Sequence, residues 1–474
     1  MKDNIALLSD FYEFTMSNGF LAKNMTNEIA YFDVFFRKVP DNGGYAVLAG
    51  LEQVIEYIKN LHFDDGDIKF LRKTNKFSEE FLNYLSNFKF TGDVWAIPEG
   101  TVVFPNEPLI TVRAPIIEAQ ILETYILLAI NHQSLIATKS SRIVHAAKGR
   151  PVMEFGARRS HGESAAVLGA RAAMIGGCVG TSCTLTAKLF NVPALGTMAH
   201  SFVQSFNSEY EAFKAYAEVY PDDCTLLIDT YDTLNSGIVN AIKVFNDILV
   251  PMGFRPKGVR LDSGDLAYLS KEVRKILDEA GFKDCKICVS NSLDEFLITS
   301  LFDQSAQIDS FGVGENLITA KSDPVFGGVY KLVAVENDGN IIPKIKISEN
   351  SAKITNPSFK KVFRFYDKET NKALADVITL YDEKISQDKY LIFDPQEPWK
   401  EKTLENYTVK PLQEQIFKNG ELVYNSPSLS DICKYAKEQL GTLWSEIKRL
   451  NNPHKYYVDL SKNLWDLKNE LLKR

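Results

Sequence analysis

The sequence predicts an α/β protein centred on a closed parallel barrel, with an N-terminal layered α+β domain and a C-terminal extension, and three observations carry that reading. First, from residue 150 short apolar runs alternate with helical stretches: Pro151–Phe155, Ala194–Met198, Thr225–Asp229, Gly258–Asp262, Lys286–Ser290 and Ile308–Val313. Second, Asp229, Asp262 and Ser290 are separated by 33 and 28 residues, the length of a βα unit, and unbroken apolar runs suit parallel strands buried on both faces. Third, each run ends in polar or special residues: Arg158-Arg159, His200, Asp229 with Asp232, Asp262 with Asp265, Ser290-Asn291, and Gly312-Val313-Gly314. A closed barrel gathers all such ends on one rim. An open doubly wound sheet gathers only those beside its switch point, and the sequence contains neither a GxGxxG nor a Walker A motif to support one.

Residues 1–115 mix helical and strand-like segments, with turn signals at Asp41-Asn42-Gly43-Gly44 and Asp64-Asp65-Gly66. Gly92, Pro98, Gly100, Pro105, Pro108 and Pro115 punctuate short β-rich runs and predict a small β layer. Residues 116–148 are helical: Ile121, Leu122, Tyr125, Leu128, Ala129, His132, Leu135 and Ile136 recur at three- and four-residue spacing, which makes His132 a core histidine. The barrel domain is expected to span 116–335. Residues 336–474 are expected to return to the N-terminal layer as strands, with hairpin turns at Asn337-Asp338-Gly339-Asn340 and Asn419-Gly420, and end in amphipathic basic helices bearing Trp444, Tyr456, Tyr457 and Trp465.

Composition narrows the function. With 54 Lys+Arg against 61 Asp+Glu the formal charge is −7, which argues against general binding to nucleic acid or anionic membranes. A 45% hydrophobic content supports a sizeable core. The N-terminus is too acidic for a signal peptide, and no uncharged apolar run reaches the roughly 18 residues of a membrane span, so a cytoplasmic location is expected. Six cysteines in 474 residues make no disulfide framework. Cys285 and Cys288 are spaced like a zinc pair but sit in a strand-like run with no second pair, and read as reduced core thiols.

The strand ends offer three kinds of chemistry. Arg158, Arg159, Arg260 and Lys188 could handle an anion, and Gly312-Val313-Gly314 with Gly327-Gly328 could expose backbone N–H groups to phosphate. Asp262 and Asp265 supply hard oxygens for Mg2+ or a ribose diol, with helix capping the alternative role. His200 could act as a nucleophile if a carboxylate such as Asp229 orients it.

These residues, in this order, resemble the nicotinate phosphoribosyltransferases. The resemblance rests on Leu7-Leu8-Ser9-Asp10-Phe11-Tyr12-Glu13-Phe14-Thr15-Met16, Glu154-Phe155-Gly156-Ala157-Arg158-Arg159 and Gly180-Thr181-Ser182. It continues through Gly196-Thr197-Met198-Ala199-His200-Ser201-Phe202, Asp229-Thr230-Tyr231-Asp232-Thr233 and Gly258-Val259-Arg260-Leu261-Asp262-Ser263-Gly264-Asp265-Leu266. Phe311-Gly312-Val313-Gly314 and Gly327-Gly328-Val329-Tyr330-Lys331-Leu332 complete it, with a weaker echo at Asn452-Pro453-His454-Lys455-Tyr456-Tyr457.

The resemblance implies an irregular type II phosphoribosyltransferase barrel working as a homodimer with shared sites. It implies conversion of nicotinate, phosphoribosyl diphosphate, ATP and water into nicotinate mononucleotide, diphosphate, ADP and phosphate, with Mg2+. By the same match His200 is the phosphorylated histidine, oriented by Asp229. Tyr12 (from the partner chain), Phe155 and Arg158 line the pyridine pocket, and Thr197 and Arg260 contact nicotinate. Asp262 meets the ribose hydroxyls and, with Asp265, the metal. Ser290, Asn291, Gly312 and Gly314 surround the 5′-phosphate. Ser182 stands where the related nicotinamide enzyme has an acid, which favours a substrate carboxylate over an amide. Glu315 beside the phosphate nest is expected to turn outward or bind Mg2+. A quinolinate substrate would call for more basic residues than the strand ends supply.

Overall fold

Two left-handed dipeptides set the margins of the antiparallel sheet. Asp338 (φ 49°) and Gly339 (φ 76°) join strands Val329–Asn337 and Asn340–Pro343. Asn419 (φ 51°) and Gly420 (φ 77°) join Glu414–Lys418 to Glu421–Leu422. Positive φ at both central residues is the two-residue turn whose twist matches that of paired strands, so both hairpins foreseen from sequence form.

The computed structural model describes residues 4–349 and 353–473, and the chain divides into two units. The first comprises Met1–Thr138 with Val325–Arg474, the second Lys139–Pro324. The expected boundary at residue 115 thus falls inside the first unit. The first unit holds a seven-stranded antiparallel sheet with Ile29–Phe35 between Val329–Asn337 and Ile110–Pro115. A four-stranded sheet, built mainly from Lys360–Asp367 and Ala373–Leu380, lies in the same unit.

Arg364 explains why the two ends of the chain fold together. Its guanidinium, fully buried, grips both oxygens of Asp376 at 2.8 and 2.6 Å and donates to the Val102 carbonyl at 2.8 Å. Tyr456 donates to Asp376 at 3.0 Å, and burial beside that carboxylate raises the Glu107 carboxyl well above its ordinary range. A buried charge needs partners on every side; here they come from residues 102, 376, 439 and 456.

The second unit contains five parallel strands: β1 (Val152–Glu154), β2 (Thr225–Leu227), β3 (Gly258–Leu261), β4 (Lys286–Val289) and β5 (Ser310–Val313). They hydrogen-bond in the order β1-β5-β4-β3-β2, every pair parallel. Five of the six expected strands are therefore present, each shorter than its apolar run. The sixth, Ala194–Met198, is not a strand. Ala194 makes a single bridge to Thr181, which makes a single bridge to Glu154. The physical reason is local: Asn191 turns left-handed (φ 52°), Pro193 has no N–H to donate, and Gly196 has no side chain to pack. Among the described residues the strands form no closed sheet: the five-stranded parallel α/β sheet carries two single-bridge extensions, and the closed barrel expected from sequence is not seen.

Replacing Asp376 by Ala leaves the Arg364 charge buried and unpaired, with an expected cost of about 3–5 kcal/mol. Urea denaturation followed by tryptophan fluorescence should show the midpoint falling; an unchanged midpoint would remove the knot from the account.

Candidate active site

The C-terminal ends of β3 and β4 meet through one guanidinium. Arg260, the third residue of β3, is half-buried and donates from Nε to Ser290 Oγ at 2.9 Å and from Nη2 to Asp262 Oδ1 at 3.2 Å. Its Nη1 lies 3.4 Å from Thr197 Oγ1, and the group sits 5.6 Å from the centre of the Phe155 ring. Ser290 also donates to Asp262 Oδ1. Residues 155, 197, 260, 262 and 290, far apart in sequence, are thus first neighbours.

His200 opens helix His200–Gln204. Its Nδ1 is 3.1 Å from Thr230 Oγ1 and its Nε2 is 3.8 Å from Asp262 Oδ2. Asp229 occupies the tip of the neighbouring segment. Its Oδ2 accepts from the Asp262 N–H at 2.8 Å and from Ser263 Oγ at 2.6 Å. The other oxygen, Oδ1, is buried with no hydrogen-bond partner among the described residues. The groups flanking the imidazole are therefore Thr230 and Asp262, while Asp229 braces the Asp262 loop.

Beyond β4 and along β5 the backbone itself is specialised. Asn291 (φ 96°) and Ser292 (φ 48°) take left-handed conformations in succession after β4. Strain of this kind needs support, and Asn316 supplies it by donating to the Ser292 carbonyl at 2.8 Å. Gly312 lies against Phe155, where an added Cβ would come 2.5 Å from the ring, and a Cβ on Gly314 would come 3.2 Å from the Phe155 carbonyl oxygen. Glu315 is drawn away by Lys321 at 2.7 Å, with Arg159 at 3.8 Å, and the lysine holds its carboxyl below the usual range.

Other expected residues make no hydrogen bond to this cluster among the described residues. Arg158 is exposed in the turn Ala157–Arg159, Ser182 is exposed beyond Thr181, and Lys188 is exposed on helix Thr184–Phe190. Asp265 caps helix Leu266–Glu279 by accepting from the Tyr268 N–H at 3.0 Å. Tyr12 belongs to the first unit, 45% exposed on helix Phe11–Ala22. Beside it, Glu13 is buried against Thr124, accepting from its Oγ1 at 2.6 Å, and burial lifts the carboxyl to about 7. Thr230, Ser263 and Asn316 were not singled out from sequence. The first two lie inside the quoted motifs, next to Asp229 and Asp262, so adjacency was the available signal.

Three family models match the chain: the nicotinate phosphoribosyltransferase N-terminal domain over residues 7–131, the nicotinate phosphoribosyltransferase family over 151–381, and its C-terminal domain over 359–468. The nicotinate phosphoribosyltransferase of Bacillus subtilis (strain 168) is 46% identical over 467 residues, covering 98% of this chain and 95% of the relative. The chain belongs to the nicotinate phosphoribosyltransferase family. This member is therefore an enzyme. The family's human nicotinate phosphoribosyltransferase is 31% identical over 98% of this chain and 96% of its own. Among solved structures, human nicotinic acid phosphoribosyltransferase superposes with a TM-score of 0.86 at 29% identity, covering 98% of this chain and 99% of that one. Nicotinate-nucleotide pyrophosphorylase from Pyrococcus furiosus follows at 0.71 and 27%, covering 92% and 95%.

Arg260 is the hub of the cluster. Arg260→Ala is expected to lower kcat/KM for nicotinate by about 10²- to 10³-fold, the effect of losing a preorganised charged donor. Steady-state kinetics check this, and unaltered constants would take Arg260 out of the site.

Proposed function

We propose that the chain joins nicotinate to the ribose of phosphoribosyl diphosphate, in the cytoplasm, for NAD biosynthesis, with ATP consumed alongside. The observation that carries this reading is the meeting of Arg260, Asp262, Ser290, Phe155 and His200 at one end of the parallel sheet. In this reading the five strands and the single-bridge segments at Thr181 and Ala194 are the arc of an irregular barrel. Two copies of the chain form the working enzyme, with Tyr12 of the partner subunit closing the pyridine slot.

In the reaction the pyridine nitrogen attacks the anomeric carbon, a C–N bond forms, and the C–O bond to diphosphate breaks with its electron pair leaving on diphosphate. Phe155 gives the flat ring a surface to lie on, and orientation of this kind lowers the barrier by removing rotational freedom in advance. Thr197 and Arg260 supply donors to the substrate carboxylate. Asp262, held by Arg260 and Ser290, keeps one oxygen directed into the site for the ribose hydroxyls and for the positive charge that builds on the sugar. Ser290, the left-handed Asn291 and the glycines at 312 and 314 form the 5′-phosphate cradle.

The donor set fits Mg2+. Asp262 Oδ2 and the unpartnered Asp229 Oδ1 are hard oxygens, whereas Asp265 has one oxygen committed to its helix cap. When bound, the ion neutralises charge on the departing diphosphate. His200 is the side chain offered to ATP: its imidazole accepts the γ-phosphoryl as the bond to ADP breaks, and the phosphohistidine biases the site toward its closed form.

A diphosphate-release assay with nicotinate, nicotinamide and quinolinate side by side should show turnover of nicotinate alone, stimulated by ATP. Comparable turnover of nicotinamide would contradict the pocket. In the same assay His200→Ala should lose the stimulation by ATP, and an unchanged ATP-coupled rate would remove the histidine's role.

A further inference from the structure

Glu154 is a wholly buried carboxylate at the end of β1 that makes no contact with His200, Arg260 or Asp262 among the described hydrogen bonds. One of its oxygens accepts from the Gly156 N–H, where the turn carrying Arg158 and Arg159 begins. The other accepts from Thr181 Oγ1 at 2.6 Å. Thr181, also fully buried, accepts in turn from the Cys183 N–H at 2.9 Å, which closes the turn around Ser182. The Ser182 N–H itself donates to the Glu154 carbonyl at 2.9 Å. Gly156 has no room to drift, since a Cβ there would stand 2.6 Å from Ile318 and 2.8 Å from the Gly314 oxygen.

Burial raises the Glu154 carboxyl above its ordinary range, with the two donors pulling the other way. A buried charge is weak support for stability, because apolar residues of similar volume serve as well. A carboxylate can do what they cannot: it fixes two separate segments to one point through two directional bonds.

We infer that Glu154 and Thr181 are positioning residues that set the separation of Arg158 from Ser182 and thereby the preference for a pyridine carboxylate over the amide. The inference rests on the nicotinate reading above.

The test uses the full-length enzyme and compares Thr181→Val, which removes the hydroxyl at nearly constant volume, with Thr181→Ser, which keeps it. Thr181→Val should raise the nicotinate KM about tenfold, one hydrogen bond's worth. It should shrink the nicotinate-to-nicotinamide ratio of kcat/KM by a similar factor and move the phosphoribosyl diphosphate KM less than about twofold. Thr181→Ser should restore all three. A lowered melting temperature with both KM values and the ratio unchanged would overturn the inference, as would equal rises in both KM values. Should the valine variant fail to fold, Glu154→Gln is measured instead: a reduced ratio supports the positioning role and an unchanged one ends it. A wild-type enzyme without nicotinate turnover would instead sink the proposed function.

Discussion

Parallel strands that end at one level bring their last side chains together, and those side chains must satisfy one another in a half-buried place. Here the Arg260 guanidinium does this for three segments, reaching Asp262 on its own strand end, Ser290 on the next and Thr197 on the loop that replaces a strand. Asp229 adds a second clasp by accepting from Asp262 N–H and Ser263. Hydrogen bonds to charged groups are the stronger kind, so the strand ends hold one geometry before any substrate arrives. Such preorganisation is what a site needs to act on developing charge.

That geometry depends on short strands. β2 to β5 are three or four residues long, so Asp229, Asp262 and Ser290 fall within two residues of their strand ends instead of being carried past them. The same economy explains the loops. Asn291 and Ser292 turn left-handed at once after β4, and Gly312 and Gly314 let the Phe155 segment lie directly on β5. On the proposed reading this close packing of backbone on backbone offers N–H groups to phosphate without a long loop to order.

Much of this was legible in the sequence because local rules governed it. Apolar runs of four or five residues ended by Asp or Ser marked β2, β3 and β4, and the Asp-Gly and Asn-Gly pairs marked both hairpins. The rule failed at Ala194–Met198, where an apolar run contains a proline on one side and a glycine inside, and backbone hydrogen-bonding capacity decided against hydrophobicity. What ties residues 336–474 to the N-terminal layer was not legible, because it rests on contacts such as Arg364 to the Val102 carbonyl, 262 residues apart, and no periodicity reports a single long-range hydrogen bond. The flanking of His200 by Thr230 was hidden for a different reason. Asp229 was the stronger acceptor on chemical grounds, yet its Oδ2 is committed to the loop after β3, and only three-dimensional competition for that oxygen reveals it.

The remaining constraint is discrimination between two rings of the same shape. Nicotinate and nicotinamide differ by a charge and a donor, not by volume, so a tighter apolar slot cannot separate them; polar groups placed against the substituent can. In the proposed reading the pocket draws donors from Arg260 and Thr197 and a hydroxyl from Ser182, where an acid would repel the carboxylate. Glu154, wholly buried, has both oxygens occupied, by the Gly156 N–H and the Thr181 Oγ–H. On the proposed reading these two donors keep that acid from meeting the substrate carboxylate. Selectivity here is therefore as much a matter of where the unavoidable negative charges are hidden as of where the positive ones are shown.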